Sequence, residues 1–260
     1  MKARVNGIEL HYEVSGSGPW LTLSHSLGSD ASMWQAQLAA LEPRFSVLRY
    51  DTRGHGRSDA PGGEYTLAGL TGDVLGLLDA LGIERTHFCG LSMGGMIGQQ
   101  LALQAPQRLG RLVLASTASR MPAQAGPLWA ERISVAREQG MAAHVEATLA
   151  RWFTTPYRAA HPEVAAAIGA LIRATPVAGY CGCGAAIAAL DLHDQLAALR
   201  APTLVIVGAE DPGTPPAMAR EIAAAIPGAR LEVLAQASHL CNIEQAAAFN
   251  RLLLDFLLEA

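Results

Sequence analysis

The 260-residue chain is poor in charge: 16% of its residues are Asp, Glu, Lys or Arg, while half are hydrophobic. That balance excludes a disordered chain and supplies an extensive core. Lys and Arg are scattered and the net charge is −4, which excludes a nucleic-acid footprint and a polybasic membrane patch. No apolar run approaches the about 20 residues a membrane span needs, and Met1–Gly7 lacks the apolar stretch of a secretory leader. Cysteine is scarce too. The four (Cys89, Cys181, Cys183, Cys241) have no framework spacing, Cys181 and Cys183 are too close for an easy bridge, and no Cys/His pattern fits zinc. Reduced thiols in a cytoplasmic protein without a metal are therefore expected. Internal repeats and low-complexity linkers are also missing. Runs such as Ala165-Ala166-Ala167 reflect helix propensity.

What the chain does have is alternation. β-prone residues from Val5 to Val14 flank Asn6-Gly7, a favoured pair for a two-residue hairpin turn. Short apolar runs at 21–25, 46–50, 86–89, 112–115, 204–207 and 231–234 each read as a strand buried on both faces. Helical spacing separates them. Leu67, Leu70, Val74, Leu77, Leu78 and Leu81 form one face, with Gly82 at the stop. A helix over 93–103 ends before Pro106, and Phe249, Leu252, Leu253 and Phe256 mark the last one. The pattern predicts a doubly wound α/β sheet opened by an antiparallel hairpin. Residues 120–199 break it, with helical patterns over 128–139, 141–152, 162–173 and 179–190 but no strand. The expected organisation is a core of 1–119 and 200–260, with 120–199 inserted as a helical lid.

The chemistry centres on Gly90-Leu91-Ser92-Met93-Gly94, a G-x-S-x-G directly after an apolar run. A strand entering a helix through so tight a turn strains the serine and holds its hydroxyl in the open. A serine nucleophile needs a base, an orienting carboxylate and oxyanion donors. Asp211, in the loop after 204–207, is the candidate acid, with Glu210 second; the 112–115 strand leads only into Ser116-Thr117-Ala118-Ser119. His239, in the loop after 231–234, completes the order Ser, Asp, His. The expected oxyanion donors are the N–H groups of Met93 and of Leu27 in the loop His25-Ser26-Leu27-Gly28, with Ser26 as the fallback. His25 is expected to shape that loop and not to act as a second base. The polar run Tyr50–Asp59 suits a sharply bent structural loop, although Arg53 could enter the pocket.

Gly90–Gly95, Asp51-Thr52-Arg53-Gly54-His55-Gly56, Asp211 and His239 together resemble the α/β-hydrolase superfamily over nearly the whole chain. Ser26-Leu27-Gly28, Gly94–Gln99, Arg151-Trp152-Phe153-Thr154, Thr175–Tyr180 and Thr214-Pro215-Pro216 are similar, more narrowly, to 3-oxoadipate enol-lactonases of the β-ketoadipate pathway. Two stretches depart from that pattern: Ala235-Gln236-Ala237-Ser238, where glycines are commoner, and Cys181-Gly182-Cys183-Gly184. The resemblance implies an eight-stranded, mostly parallel sheet flanked by helices. It implies cofactor-free opening of a small anionic lactone, in aromatic catabolism. Such a substrate carries a carboxylate, for which Arg151 and Arg53 are the candidate cations; Ser26, Trp34, Trp129, Trp152 and Tyr180 are candidate contacts. Arg132, Arg137 and Arg173 read as solvated. A general carboxylesterase or cofactor-free perhydrolase is the alternative within enzymes. A ligand-binding receptor that retains the triad is the alternative outside them.

Overall fold

The computed structural model describes residues 1–122 and 124–259. Its opening hairpin pairs β1 (Lys2–Val5) with β2 (Ile8–Gly16), and Asn6 and Gly7 both take positive φ (47° and 79°) as a type I′ turn requires. There follow β3 (Trp20–Ser24), α1 (Gln35–Leu41), β4 (Ser46–Tyr50), α2 (Leu67–Ala80), β5 (Thr86–Leu91), α3 (Met93–Gln104) and β6 (Leu109–Ala115). Thr66 caps α2 by accepting the Gly69 N–H at 3.0 Å, and Gly82, at φ 66°, follows its C-terminus.

After β6 come five helices: α4 (Ala125–Gln139), α5 (Val145–Trp152), α6 (Thr155–Ala160), α7 (Pro162–Ala174) and α8 (Val177–Ala188). A 3-10 turn over Met141–His144 splits the helix expected over 141–152, and α6 escaped the sequence reading because Thr154-Thr155-Pro156 resembles a loop. In the structure Thr154 is the cap and Pro156 lies in the first turn, where a missing N–H costs nothing. The chain then completes β7 (Thr203–Gly208), α9 (Pro216–Ala225), β8 (Arg230–Leu234), α10 (Cys241–Glu244) and α11 (Ala246–Leu257). Among the described residues no single helix is long and apolar enough to cross a membrane.

The eight strands form one sheet in the order β1-β2-β4-β3-β5-β6-β7-β8, antiparallel through β2 and parallel beyond it. The inner strands are buried nearly throughout. β8 corrects the expectation: it lies at the edge with Glu232 and Val233 exposed, because no further strand covers it.

Chain direction makes β3 and β5 the switch point. From β3 the chain steps to β4 on one side, and from β5 it proceeds to β6, β7 and β8 on the other. Crevices at such points, outside the carboxyl ends of the strands, are where open α/β sheets bind ligands. The pairings Ser24↔Gly90, Leu91↔Ala115 and Gly208↔Leu234 send the loops after β3, β5, β7 and β8 out over that one rim. The excursion α4–α8 begins and ends there: Arg120 bridges Asp191, Leu192 N–H donates to Ser119 at 2.7 Å, and Met121 N–H donates to Leu190 at 3.0 Å.

Candidate active site

Ser92 joins β5 to α3 at φ 57°, ψ −114°, a left-sided conformation that costs a non-glycine residue on the order of 1–3 kcal/mol. The surroundings enforce it. The Ser92 N–H donates to Ala115 at 2.9 Å, and its carbonyl accepts the Thr117 hydroxyl at 2.7 Å and the Met96 N–H at 3.0 Å. A Cβ on Gly90 would overlap the Gly94 backbone, and one on Gly94 would overlap the Ser24 carbonyl, so only glycines let strand, turn and helix approach this closely.

Asp211 and His239 meet on the same rim. His239 Nδ1 donates to Asp211 Oδ2 at 2.7 Å. Asp211 also accepts from Gly213 N–H at 2.8 Å, Thr214 N–H at 3.0 Å and the Thr214 hydroxyl at 2.7 Å. Burial alone would raise the Asp211 pKa; the adjacent imidazole and these hydrogen bonds outweigh it and hold the carboxyl below its usual range. Glu210, the second candidate, is exposed. With Nδ1 engaged, His239 keeps Nε2 for a reacting partner, and the Trp152 ring lies 6.1 Å from the imidazole at 25°. Ser92 and His239 line one cavity, but among the described residues no hydrogen bond joins them, a link that commonly tightens only when substrate is present.

Two neutral histidines hold the loop after β3. His25 Nδ1 donates to the Ser26 carbonyl at 2.7 Å, and His25 Nε2 accepts the Thr52 N–H at 2.8 Å. His55 Nε2 accepts the Gly28 N–H at 3.0 Å. Burial lowers both pKa values, that of His55 to about 3. The Asp51 carboxylate adds bonds to the N–H groups of Ala31 (2.9 Å) and Arg57 (2.8 Å), so the 50–59 loop is a brace for its neighbour. The Ser26 N–H is already given to Met33 Sδ at 3.4 Å, and Leu27 lines the cavity.

The cavity has a volume of about 330 Å³, and its walls include Leu27, Ser92, Trp129, Arg132, Thr148, Arg151, Trp152, Tyr180, Met218 and His239. Among the described residues no acid lines it. Arg151, on α5, donates to Thr148 Oγ1 at 3.1 Å; burial first, and the charge of Arg132 second, lower its pKa. Arg132, on α4, lies 4.9 Å over the Trp129 ring and faces this cavity, which corrects its reading as a solvated residue; Arg137 and Arg173 are exposed as expected. Three proposed contacts lie elsewhere. Arg53 makes a bidentate bond to Asp73, at 2.7 Å to each oxygen. Trp34 is fully buried against Phe249, and the Ser26 side chain is buried outside the lining.

Sequence reasoning passed over Glu244, five residues beyond His239. Its carboxylate accepts from Thr154 N–H and Oγ1, each at 2.8 Å, and from Ser238 N–H at 2.5 Å. Burial raises its pKa. Its neighbourhood, Asn242-Ile243-Glu244-Gln245, carries no motif that marks it; only the fold brings Thr154 and Ser238 to its carboxylate.

The comparisons with known proteins agree with this architecture. The α/β hydrolase fold family model matches residues 19–246. A 3-oxoadipate enol-lactonase of Acinetobacter baylyi is 40% identical, over 94% of this chain and 91% of its own. A proposed carbamate hydrolase, RutD, of Variovorax paradoxus is 36% identical over 95% and 96%. The crystal structure of an enol-lactonase from Burkholderia xenovorans superposes with a TM-score of 0.97 at 48% identity, covering 100% of both chains. With matches of this extent to an eight-stranded sheet and its rim of loops, the chain belongs to the α/β-hydrolase family.

Proposed function

We propose that the protein is a serine hydrolase that opens the ring of 3-oxoadipate enol-lactone to give 3-oxoadipate, in aromatic catabolism. The observation that carries this reading is the cavity itself. Ser92 and His239 lie on its sheet side, the guanidinium groups of Arg132 and Arg151 belong to its helical side, and no acid among the described residues neutralises them. An apolar pocket with two uncompensated cations favours a small ester that bears a carboxylate.

Ser92 Oγ attacks the lactone carbonyl carbon as His239 Nε2 takes its proton, and Asp211 stabilises the imidazolium. The N–H groups of Leu27 and Met93 receive the oxyanion. The tetrahedral intermediate collapses, the ring C–O bond breaks, and His239 returns the proton to the departing enolate oxygen; the enol then tautomerises to the ketone. Water, deprotonated by His239, attacks the acyl carbon, and its proton passes back to Ser92 as the acid leaves. Helices α4–α8 serve as the lid that closes the cavity and selects the ester.

The test compares kcat/KM for 3-oxoadipate enol-lactone with that for a neutral p-nitrophenyl ester, in wild type and Ser92→Ala. Wild type favours the lactone, and Ser92→Ala loses both activities while remaining folded. Preference for the neutral ester overturns the lactonase reading alone. Near wild-type turnover by Ser92→Ala overturns the mechanism.

A further inference from the structure

His239 and Arg151 lie far apart in sequence, yet four hydrogen bonds cross between the backbone segments that carry them, and a fifth braces the His239 segment from within. The Ser238 hydroxyl donates to the Arg151 carbonyl at 2.7 Å, and the Leu240 N–H donates to the Trp152 carbonyl at 3.0 Å. The other three converge on Glu244: Oε1 accepts both donors of Thr154, and Oε2 accepts the Ser238 N–H. Glu244 is only 8% exposed, and among the described residues no Lys or Arg pairs with it. A buried carboxylate without a cation is costly unless its lone pairs are satisfied. Here the donors come from two sides of the cavity wall: the residue before His239, and a residue three beyond Arg151.

We infer that Glu244 is a positioning residue, which locks the loop bearing His239 to the segment bearing Arg151 and so fixes the spacing between the base and the substrate-binding cation. The inference rests on the serine-hydrolase reading above. Glutamine tests it sharply, because it keeps the shape and loses one acceptor. Whichever way its amide is turned, the NH2 group faces either the Ser238 N–H or the Thr154 N–H, and two donors oppose each other. One end of the lock opens without a cavity being made.

The experiment uses wild type, Glu244→Gln and Glu244→Ala, with Ser92→Ala as the blank, and checks each for folding by circular dichroism and a cooperative melt. A fluorophosphonate reports the reactivity of Ser92, and steady-state kinetics compare an anionic p-nitrophenyl hemisuccinate with a neutral p-nitrophenyl ester. In folded Glu244→Gln, phosphonylation slows roughly 10- to 100-fold, the loss expected of a base displaced by a fraction of an ångström to an ångström. KM rises for the anionic ester and stays level for the neutral one. A lower Tm with wild-type labelling and an unchanged KM ratio assigns Glu244 a purely structural role and overturns the inference. If Glu244→Ala does not fold, Glu244→Gln decides the matter. Wild type that resists the fluorophosphonate overturns the serine-hydrolase reading itself, a result distinct from either outcome in the variants.

Discussion

Ser92 holds its backbone at φ 57° because glycines at 90 and 94 bring strand and helix within reach of each other, and the proposed chemistry follows from what surrounds that serine. Asp211 carries four donors, of which the imidazole is one. In Asp211→Asn the amide nitrogen can face His239 Nδ1 and favour the wrong tautomer, leaving Nε2 protonated and unable to accept from Ser92. We expect kcat to fall by roughly 10⁴-fold with a small change in KM, measured under saturating substrate. On the proposed function the arginines act on the other parameter. Arg132→Ala and Arg151→Ala should each raise KM for an anionic ester by roughly 10-fold or more, since a charge-assisted bond contributes about 1.5–3 kcal/mol. The neutral ester should be spared, and equal effects on both esters would remove that arginine as an anchor. Ser92, Asp211 and His239 were legible because each follows an apolar run and the runs define strands. Arg132 was not. Its sequence neighbourhood resembles that of the exposed Arg137, and only the packing of α4 over the rim separates them.

At the scale of elements, the elbow between β5 and α3 is the least tolerant place in the chain. In Gly94→Ala the new methyl meets the Ser24 carbonyl, which belongs to β3 and cannot move without unpairing the central strand. We expect a loss of about 1–3 kcal/mol, read as a Tm lower by roughly 2–4 °C for each kcal/mol, together with lost activity. The sheet was readable because parallel strands buried on both faces are unbroken apolar runs. β8 differs from the inner strands in a way the sequence did show: Arg230 and Glu232 alternate with Leu231 and Val233, the pattern of an edge strand with one face in water, whereas Leu204–Val207 of β7 is apolar throughout. Helix α6 was hidden, since Thr-Thr-Pro suits both a loop and a helix start.

For the whole molecule, buried neutral histidines set the response to acid. His55 has its pKa lowered from 6.5 to about 3, chiefly by burial, so between those values the unfolded chain binds a proton that the folded one refuses. Stability therefore falls as pH drops through that window, by up to about 1.4 kcal/mol per unit for this group. Urea midpoints should hold nearly level from pH 7.5 to about 6.5 and decline from there to pH 4, and His55→Asn should flatten the decline relative to wild type. The bridge between Arg120 and Asp191 has a different consequence. The about seventy residues between that pair depart and return through neighbouring backbones, and we propose that they behave as an exchangeable insert. A chimaera taking residues 122–189 from a relative would need to preserve the bridge, the hydroxyl opposite Glu244, and the places where the insert meets the core backbone, among them Tyr65 N–H on the Gly182 carbonyl at 3.1 Å and Gly54 against Gly179. With these kept, it should fold and adopt the substrate preference of the donor, read as the ratio of kcat/KM for the two parents' substrates.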